Sequence, residues 1–251
     1  MNELRGADDI GDHLISARSA DEYRAMFALT DAELRGRVLD CPGGGASFTA
    51  WVRQRGTEAF AVDPVYATSP QQLIARLDAE LTRGSAWATA HAERYVWDFH
   101  RDPAAHARHR ADSAAVFARD LVDHPDHYVA AALPHLPFAD GAFDLVLSSH
   151  LLFTYADRLD ANSHLAALRE LVRVGTEVRL FPLVDQAGRP LAELLDGVVR
   201  RLDDAGVQAR VQDVPYEFQR GAHSMLRLRP VPTHPGVRGA GAPGARGTMP
   251  A

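Results

Sequence analysis

Two aspartates, three consecutive glycines and a histidine carry the chemistry that is legible in this chain. Asp40 ends a short apolar run, Val38-Leu39, and Gly43, Gly44 and Gly45 follow it. Asp63 ends a second run, Phe60–Val62, roughly 20 residues beyond the glycines. A turn without side chains lets a ligand approach the backbone. A carboxylate at the end of the next strand accepts hydrogen bonds from ribose hydroxyls. The pattern predicts a site for a nucleoside-containing cofactor. His150 follows a third apolar run, Phe143–Ser148, at the sheet edge where α/β proteins bind ligands. An imidazole there is suited to moving a proton, and Tyr155 just beyond it to orienting a partner.

The elements that position these residues follow from hydrophobic period. Arg37–Cys41, Ala59–Asp63, Tyr128–Ala132, Phe143–Ser148 and Val178–Leu183 read as strands. Ser19 and Glu22 match a capping box that opens a helix carrying Tyr23, Met26 and Phe27. Phe48–Arg55, Gln71–Leu81, 102–123, Asn162–Val174 and Pro190–Ala205 read as helices. Ser163 or Asn162 is the expected cap of the fourth of these. Gln208–Val214 and Ser224–Leu228 close the chain as two strands with no long helix between them, which predicts an antiparallel edge. Strand–helix alternation implies a doubly wound, mostly parallel sheet. The expected division is 1–66, an N-terminal helix and the first half of a cofactor-binding domain; 67–127, a helical insertion or cap; 128–230, the second half; and 231–251, a disordered tail rich in Pro, Gly and Ala.

Composition narrows the function. The chain has 251 residues and a formal charge of −6, which argues against a nucleic-acid-binding surface. No apolar run approaches the ~20 residues of a membrane span, and the acidic, polar N-terminus does not read as a signal peptide. Cys41 is the only cysteine, so an intramolecular disulfide is impossible and a cytoplasmic location is expected. All 27 basic residues are arginine. Without lysine there is no Walker-type phosphate loop and no Schiff base.

Gly43-x-Gly45-x-x-Phe48 approaches the dinucleotide fingerprint, but Phe48 stands where a small residue is needed. Asp40 also places a negative charge beside the position of a pyrophosphate, and suits instead a ligand that brings an amine and a sulfonium. VLDCPGGGASF, AVDP and LPFADGAFDLVLSSHLLFTY, in that order, resemble the class I S-adenosylmethionine-dependent methyltransferases, most nearly the quinone-biosynthesis-like type. The resemblance covers roughly Tyr23 to Arg229 apart from the insertion. It implies a Rossmann-like methyltransferase sheet with an antiparallel edge strand and S-adenosyl-L-methionine as cofactor. By position, Asp40 and the backbone of Gly43, Gly44 and Gly45 would face the methionine part of the cofactor. Asp63 would bind the ribose, Pro64 or Val65 would lie on the adenine, and Ser148–His150 would approach the methyl. Tyr23 and Arg24 would close over the cofactor carboxylate. His150 is the candidate base.

The chain departs from the family pattern at Pro42, which lacks an N–H, and at Ala132, which stands where an acid often meets the adenine. The Asn-Pro-Pro-Tyr motif of many amino-group methyltransferases is absent. A small-molecule acceptor is therefore expected, with nucleic acid and membrane disfavoured and the oligomeric state open. The alternatives are a non-catalytic cofactor-binding module, an RNA methyltransferase using the arginines of the insertion and, more distantly, a nicotinamide oxidoreductase. Trp87, Tyr95, Trp97, Phe99, His100, His106 and His109 read as an aromatic docking surface or acceptor pocket, with no convincing metal-ligand frame. Arg101, Arg108 and Arg110 read as a solvated face.

Overall fold

The computed structural model describes residues 14–231. Residues 1–13 and, apart from Val231, the expected tail lie outside the described residues. The chain opens with the strap Leu14–Arg18 and helix α1 (Ala20–Met26). Strands β1 (Val38–Asp40), β2 (Ala59–Val62), β3 (Tyr128–Val129), β4 (Leu145–Ser149), β5 (Val178–Phe181), β6 (Val207–Asp213) and β7 (Ser224–Pro230) form one sheet. Its order is β3-β2-β1-β4-β5-β7-β6. The first five strands are parallel in space, with Leu39 between Phe60 and Val146. Strand β7 runs antiparallel to both β5 and β6, so the reversed strand lies one place inside the edge.

Helices α2 (Phe48–Arg53), α3 (Pro70–Ala90), α4 (Pro103–Asp123), α5 (Ala161–Val174) and α6 (Ala192–Asp203) complete the alternation. The two faces of the sheet sort by strand period. Leu39, Val146, Val178 and Leu180 pack beneath α5 and α6, against Leu168, Leu171 and Leu202. Val38, Ala59, Leu145, Leu147 and Phe181 face the other way, against Tyr23, Phe27 and Phe48. A third cluster joins Ile15 and Ala17 of the strap to Leu73 and Leu77 of α3 and Phe117 and Leu121 of α4. Full burial of each such side chain stabilises by roughly 1.5–3 kcal/mol, and this cluster holds the 67–127 segment to the sheet.

Local sequence explains most helix starts. Ser19 accepts from Glu22 N while Glu22 accepts from Ser19 N, as the capping box predicts. Asp102 caps α4 with Pro103 in the first turn. Two expectations are corrected. The cap of α5 is Asp160, whose carboxylate accepts from Ser163 N at 2.7 Å, because the helix starts one residue before Asn162. Helix α3 runs to Ala90 rather than stopping at Leu81, through Gly84. Its second half has little apolar period of its own and is held by the strap and by the cavity it covers.

Candidate functional site

A cavity of about 990 Å³ opens at the carboxyl ends of the parallel strands. Its floor is the turn after β1, the start of the segment after β2, the residues after β3 and those after β4. The strap, α3 and α4 cover it, and Gln186 and Phe218 reach in from the far side. This is the edge at which open α/β sheets hold ligands.

The glycine turn is built for close approach, but its members differ in role. A Cβ on Gly43 would stand 2.6 Å from the Tyr66 hydroxyl and 2.7 Å from Ala61 Cβ. Gly44 adopts φ +51°, a conformation that L side chains rarely take. Both line the cavity. Gly45 does not: a Cβ there would stand 2.7 Å from Leu77, so its small size seats α3 rather than a ligand. Pro42 also lines the wall.

Asp63 lines the cavity and is already oriented. Its Oδ2 accepts from Gly44 N at 3.1 Å and its Oδ1 from Val65 N at 3.0 Å. Asp40 lies directly behind the wall formed by Cys41 and Pro42 and is 1% exposed. Tyr23 donates to its Oδ1 at 3.0 Å, while Oδ2 is buried without a partner. Burial, opposed by the Tyr23 hydrogen bond and reinforced by the charge of Asp63, pushes the Asp40 carboxyl well above the usual range. Pro64 and Val65 line the next part of the wall. Ala131, Ala132 and Leu133 make it apolar, and Ala132 brings no carboxylate there.

Three expected residues are placed differently. Tyr23 does not close over the cavity as a lid. It stacks on Phe48 at 4.6 Å and is committed to Asp40, so it forms fixed wall. Arg24 points away, pairing with Asp31 at 3.1 Å and lying over Trp51. A helix rotates about 100° per residue, so adjacent positions on α1 cannot share its inward face. Arg18, from the strap, lines the cavity instead. Ser148 is buried with its hydroxyl unpartnered and does not reach the cavity, whereas Ser149 and His150 do. The two-residue period of β4 decides between the serines.

His150 adopts φ +51° as the strand ends, and its N–H donates to Phe181 O at 2.7 Å. Ser149 Oγ lies 2.9 Å from its Nδ1. Burial, then the charges of Arg18 and Arg110, hold this imidazole well below the usual range, so it is neutral at pH 7. Tyr155 lines the same cavity and accepts from Leu14 N at 3.3 Å, which ties down the strap. Cys41 is buried, and burial raises its thiol far from reactivity.

The aromatic residues of 67–127 dock the segment, and some of them also line the cavity. Phe218 is their hub: Tyr95 stacks on it at 4.5 Å, His106 stacks on it at 4.8 Å, and Trp97 meets it edge-on at 5.3 Å. Trp87, Tyr95 and His106 also line the cavity. No group of three or more His, Cys, Asp or Glu side chains among the described residues is arranged to hold a metal. Arg101 and Arg108 are exposed, as expected of a solvated face. Arg110 is not: it is buried and pairs with Glu22 through both terminal nitrogens. The chain sequence offered no signal for Arg18, Gln186 or Phe218, which reach the cavity only through loop paths.

His106 gives a pH test. Burial, with the charges of Arg110 and His100, pushes its imidazole down to about 2, with Glu22 opposing. The unfolded chain protonates this group near pH 6.5 while the folded chain does not. Stability from His106 is therefore full above that pH and falls as pH drops below it. Asp40, raised by folding, acts in the opposite direction, so the useful quantity is a difference. Relative to wild type, His106→Phe is expected to gain about 2 kcal/mol of stability between pH 7 and pH 5. Urea unfolding at both pH values measures it. Parallel pH curves for the two proteins would refute the assignment.

Residues 77–177 match the model of a family described as a methyltransferase domain. An uncharacterized protein of Methanocaldococcus jannaschii is 24% identical over 227 residues, spanning 88% of this chain and 98% of its own. Among solved structures, the chain is similar to the magnesium protoporphyrin IX methyltransferase of Synechocystis, solved with S-adenosylmethionine bound. The TM-score is 0.45 and the identity 13%, over 84% of this chain and 77% of that one. It is also similar to the 1,6-didemethyltoxoflavin-N1-methyltransferase of Burkholderia thailandensis, with TM-score 0.45 and 16% identity over 83% and 78%. The methyltransferase match ends as β5 begins, and the motifs that precede it, the glycine turn and the acid after β2, line the floor of the cavity. Over residues 77–177, then, the chain is similar to a methyltransferase domain.

Proposed function

We propose that this enzyme methylates a small molecule held between the sheet edge and the roof made by α3, α4 and the strap. One observation carries the reading: the cavity of about 990 Å³ is roofed by the chain itself, which suits a metabolite better than a polymer. Among the described residues, no helix is long and apolar enough to cross a membrane. The single cysteine supports a cytoplasmic setting.

The residues present fit the cofactor. Asp40 lies behind the wall of Cys41 and Pro42 and does not line the cavity, so the methionine end of the cofactor would meet the backbone of the turn rather than this carboxylate. Gly43 and Gly44 bring only backbone to the floor. Asp63 is aimed by two backbone N–H groups and keeps lone pairs for ribose hydroxyls. Pro64, Val65 and Ala132 offer an apolar bed for the adenine. When bound, the cofactor supplies an electrophilic methyl group on a sulfonium. The chain's contribution is orientation, exclusion of water and proton handling. His150, neutral and held beside Ser149 Oγ, is our candidate to take the acceptor's proton on Nε2, in the tautomer that carries its hydrogen on Nδ1. Tyr155 keeps the strap in place over the reactants.

Methyl-labelled S-adenosylmethionine, the enzyme and a cell extract test the acceptor class. After incubation, ultrafiltration separates metabolites from macromolecules. Label is expected in the metabolite fraction. Label confined to RNA or protein would overturn the small-molecule reading.

A further inference from the structure

Three polar atoms on one part of the cavity wall are buried without partners: Arg18 Nε, His106 Nδ1 and Gln186 Nε2. His106 is 6% exposed, and no described residue partners its Nδ1. Buried polar groups are ordinarily paired, and a cluster of exceptions in one cavity marks a place where a ligand supplies the partners.

The charge there has a sign. Glu22 is the acid whose field reaches both Arg18 and Arg110. It is consumed by Arg110, by the Tyr216 hydroxyl at 2.9 Å and by Ser19 N at 3.0 Å. Arg18 donates to Ser16 Oγ, and no carboxylate stands within ion-pair distance of it among the described residues. One positive charge is left over at the wall. The surfaces beside it are flat: Phe218 with Tyr95 and His106 stacked on it, and Trp87 stacked on His91 at 3.9 Å.

Resting on the methyltransferase reading above, we infer that the acceptor is a planar acid. It is an aromatic or conjugated molecule whose carboxylate or phenolate is received by Arg18, with its ring on the Phe218 and Trp87 side and its polar substituents at His106 and Gln186. An arginine beside an anion forms short, charge-assisted hydrogen bonds and tolerates burial. The same leftover charge repels an ammonium, so amines are poor acceptors here.

The cofactor carries a carboxylate of its own, which is the other source of the same chemistry. Calorimetry separates the two. S-adenosylhomocysteine and 5′-methylthioadenosine, which lacks the amino-acid part, are titrated into wild type, Arg18→Gln and Arg18→Lys. The S-adenosylhomocysteine complexes are then titrated with 2-naphthoate, 2-naphthol and 2-naphthylmethylammonium. Arg18→Gln is expected to bind both nucleosides like wild type, which also shows that it folds. The loaded wild type is expected to prefer 2-naphthoate to 2-naphthol by about tenfold, the worth of a charge-assisted hydrogen bond. It should bind the ammonium probe least. Arg18→Gln should lose the preference for the acid and Arg18→Lys should keep most of it.

If Arg18→Gln instead reduces S-adenosylhomocysteine affinity to that of methylthioadenosine, Arg18 belongs to the cofactor and the inference fails. Equal binding of the three naphthyl probes to loaded wild type also overturns it. Failure of wild type to bind either nucleoside would refute the underlying cofactor site, a result distinct from both.

Discussion

Glu22→Gln is expected to lower the stability of this chain by about 3–5 kcal/mol, the usual cost of leaving a buried charge without its partner. Glu22 is fully buried and Arg110 meets it through both terminal nitrogens. Tyr216 donates to the same carboxylate at 2.9 Å, and His100 Nε2 lies 3.3 Å from it. Burial alone would raise its carboxyl, but the charge of Arg110 and the hydrogen bonds from His100 and Arg110 hold it well below the usual range. One side chain thus joins α1, α4 and the loop before β7. Arg110→Met is expected to cost a similar amount. The double variant Glu22→Gln with Arg110→Met should lose far less than the sum, because it removes both charges together. Urea unfolding of the four proteins measures the cycle. Additive losses, or a loss below about 1 kcal/mol for Glu22→Gln, would show that the pair is solvated and not structural.

Asp63→Ala is expected to weaken S-adenosylhomocysteine binding by about 1.5–3 kcal/mol, or roughly 10–150-fold in Kd. Two effects combine. The charge-assisted bonds proposed to the ribose would disappear, and Gly44 N and Val65 N would lose the acceptor that fixes the turn. Asp63→Asn keeps one oxygen acceptor without the charge and should fall between the two. Calorimetry at constant pH gives the affinities, and thermal melts of the free proteins check that the turn still folds. An unchanged Kd for Asp63→Ala would remove Asp63 from the ribose site, whatever the melts show.

Much of the architecture was open to a reading of the residues. The alternation of apolar strands and amphipathic helices, the glycine turn and the two acids are local patterns, and local sterics and hydrogen bonding enforce them. Ser19 and Glu22 form the capping box that their spacing announces. Asp102-Pro103 starts a helix where such a pair should. The final two strands pair antiparallel, as a short link without a helix requires.

What the sequence by itself determined, then, was the fold class and the acids at the strand ends, because each depends on neighbours a few residues apart. Tertiary structure decided the rest of the site. Glu22 reads as a cap, yet its second partner, Arg110, comes from a distant helix. Arg179, in the strand Val178–Phe181, is buried, donating to Phe27 O at 2.7 Å and pairing with Glu177. Ser149 faces the cavity in place of Ser148, and Arg18 in place of Arg24, because strand and helix phase fix which side chain points inward. Gly45 serves helix packing because Leu77 arrives there from α3. Such contacts depend on where separate elements dock, and docking is settled by the burial of whole faces, which no short stretch of residues encodes.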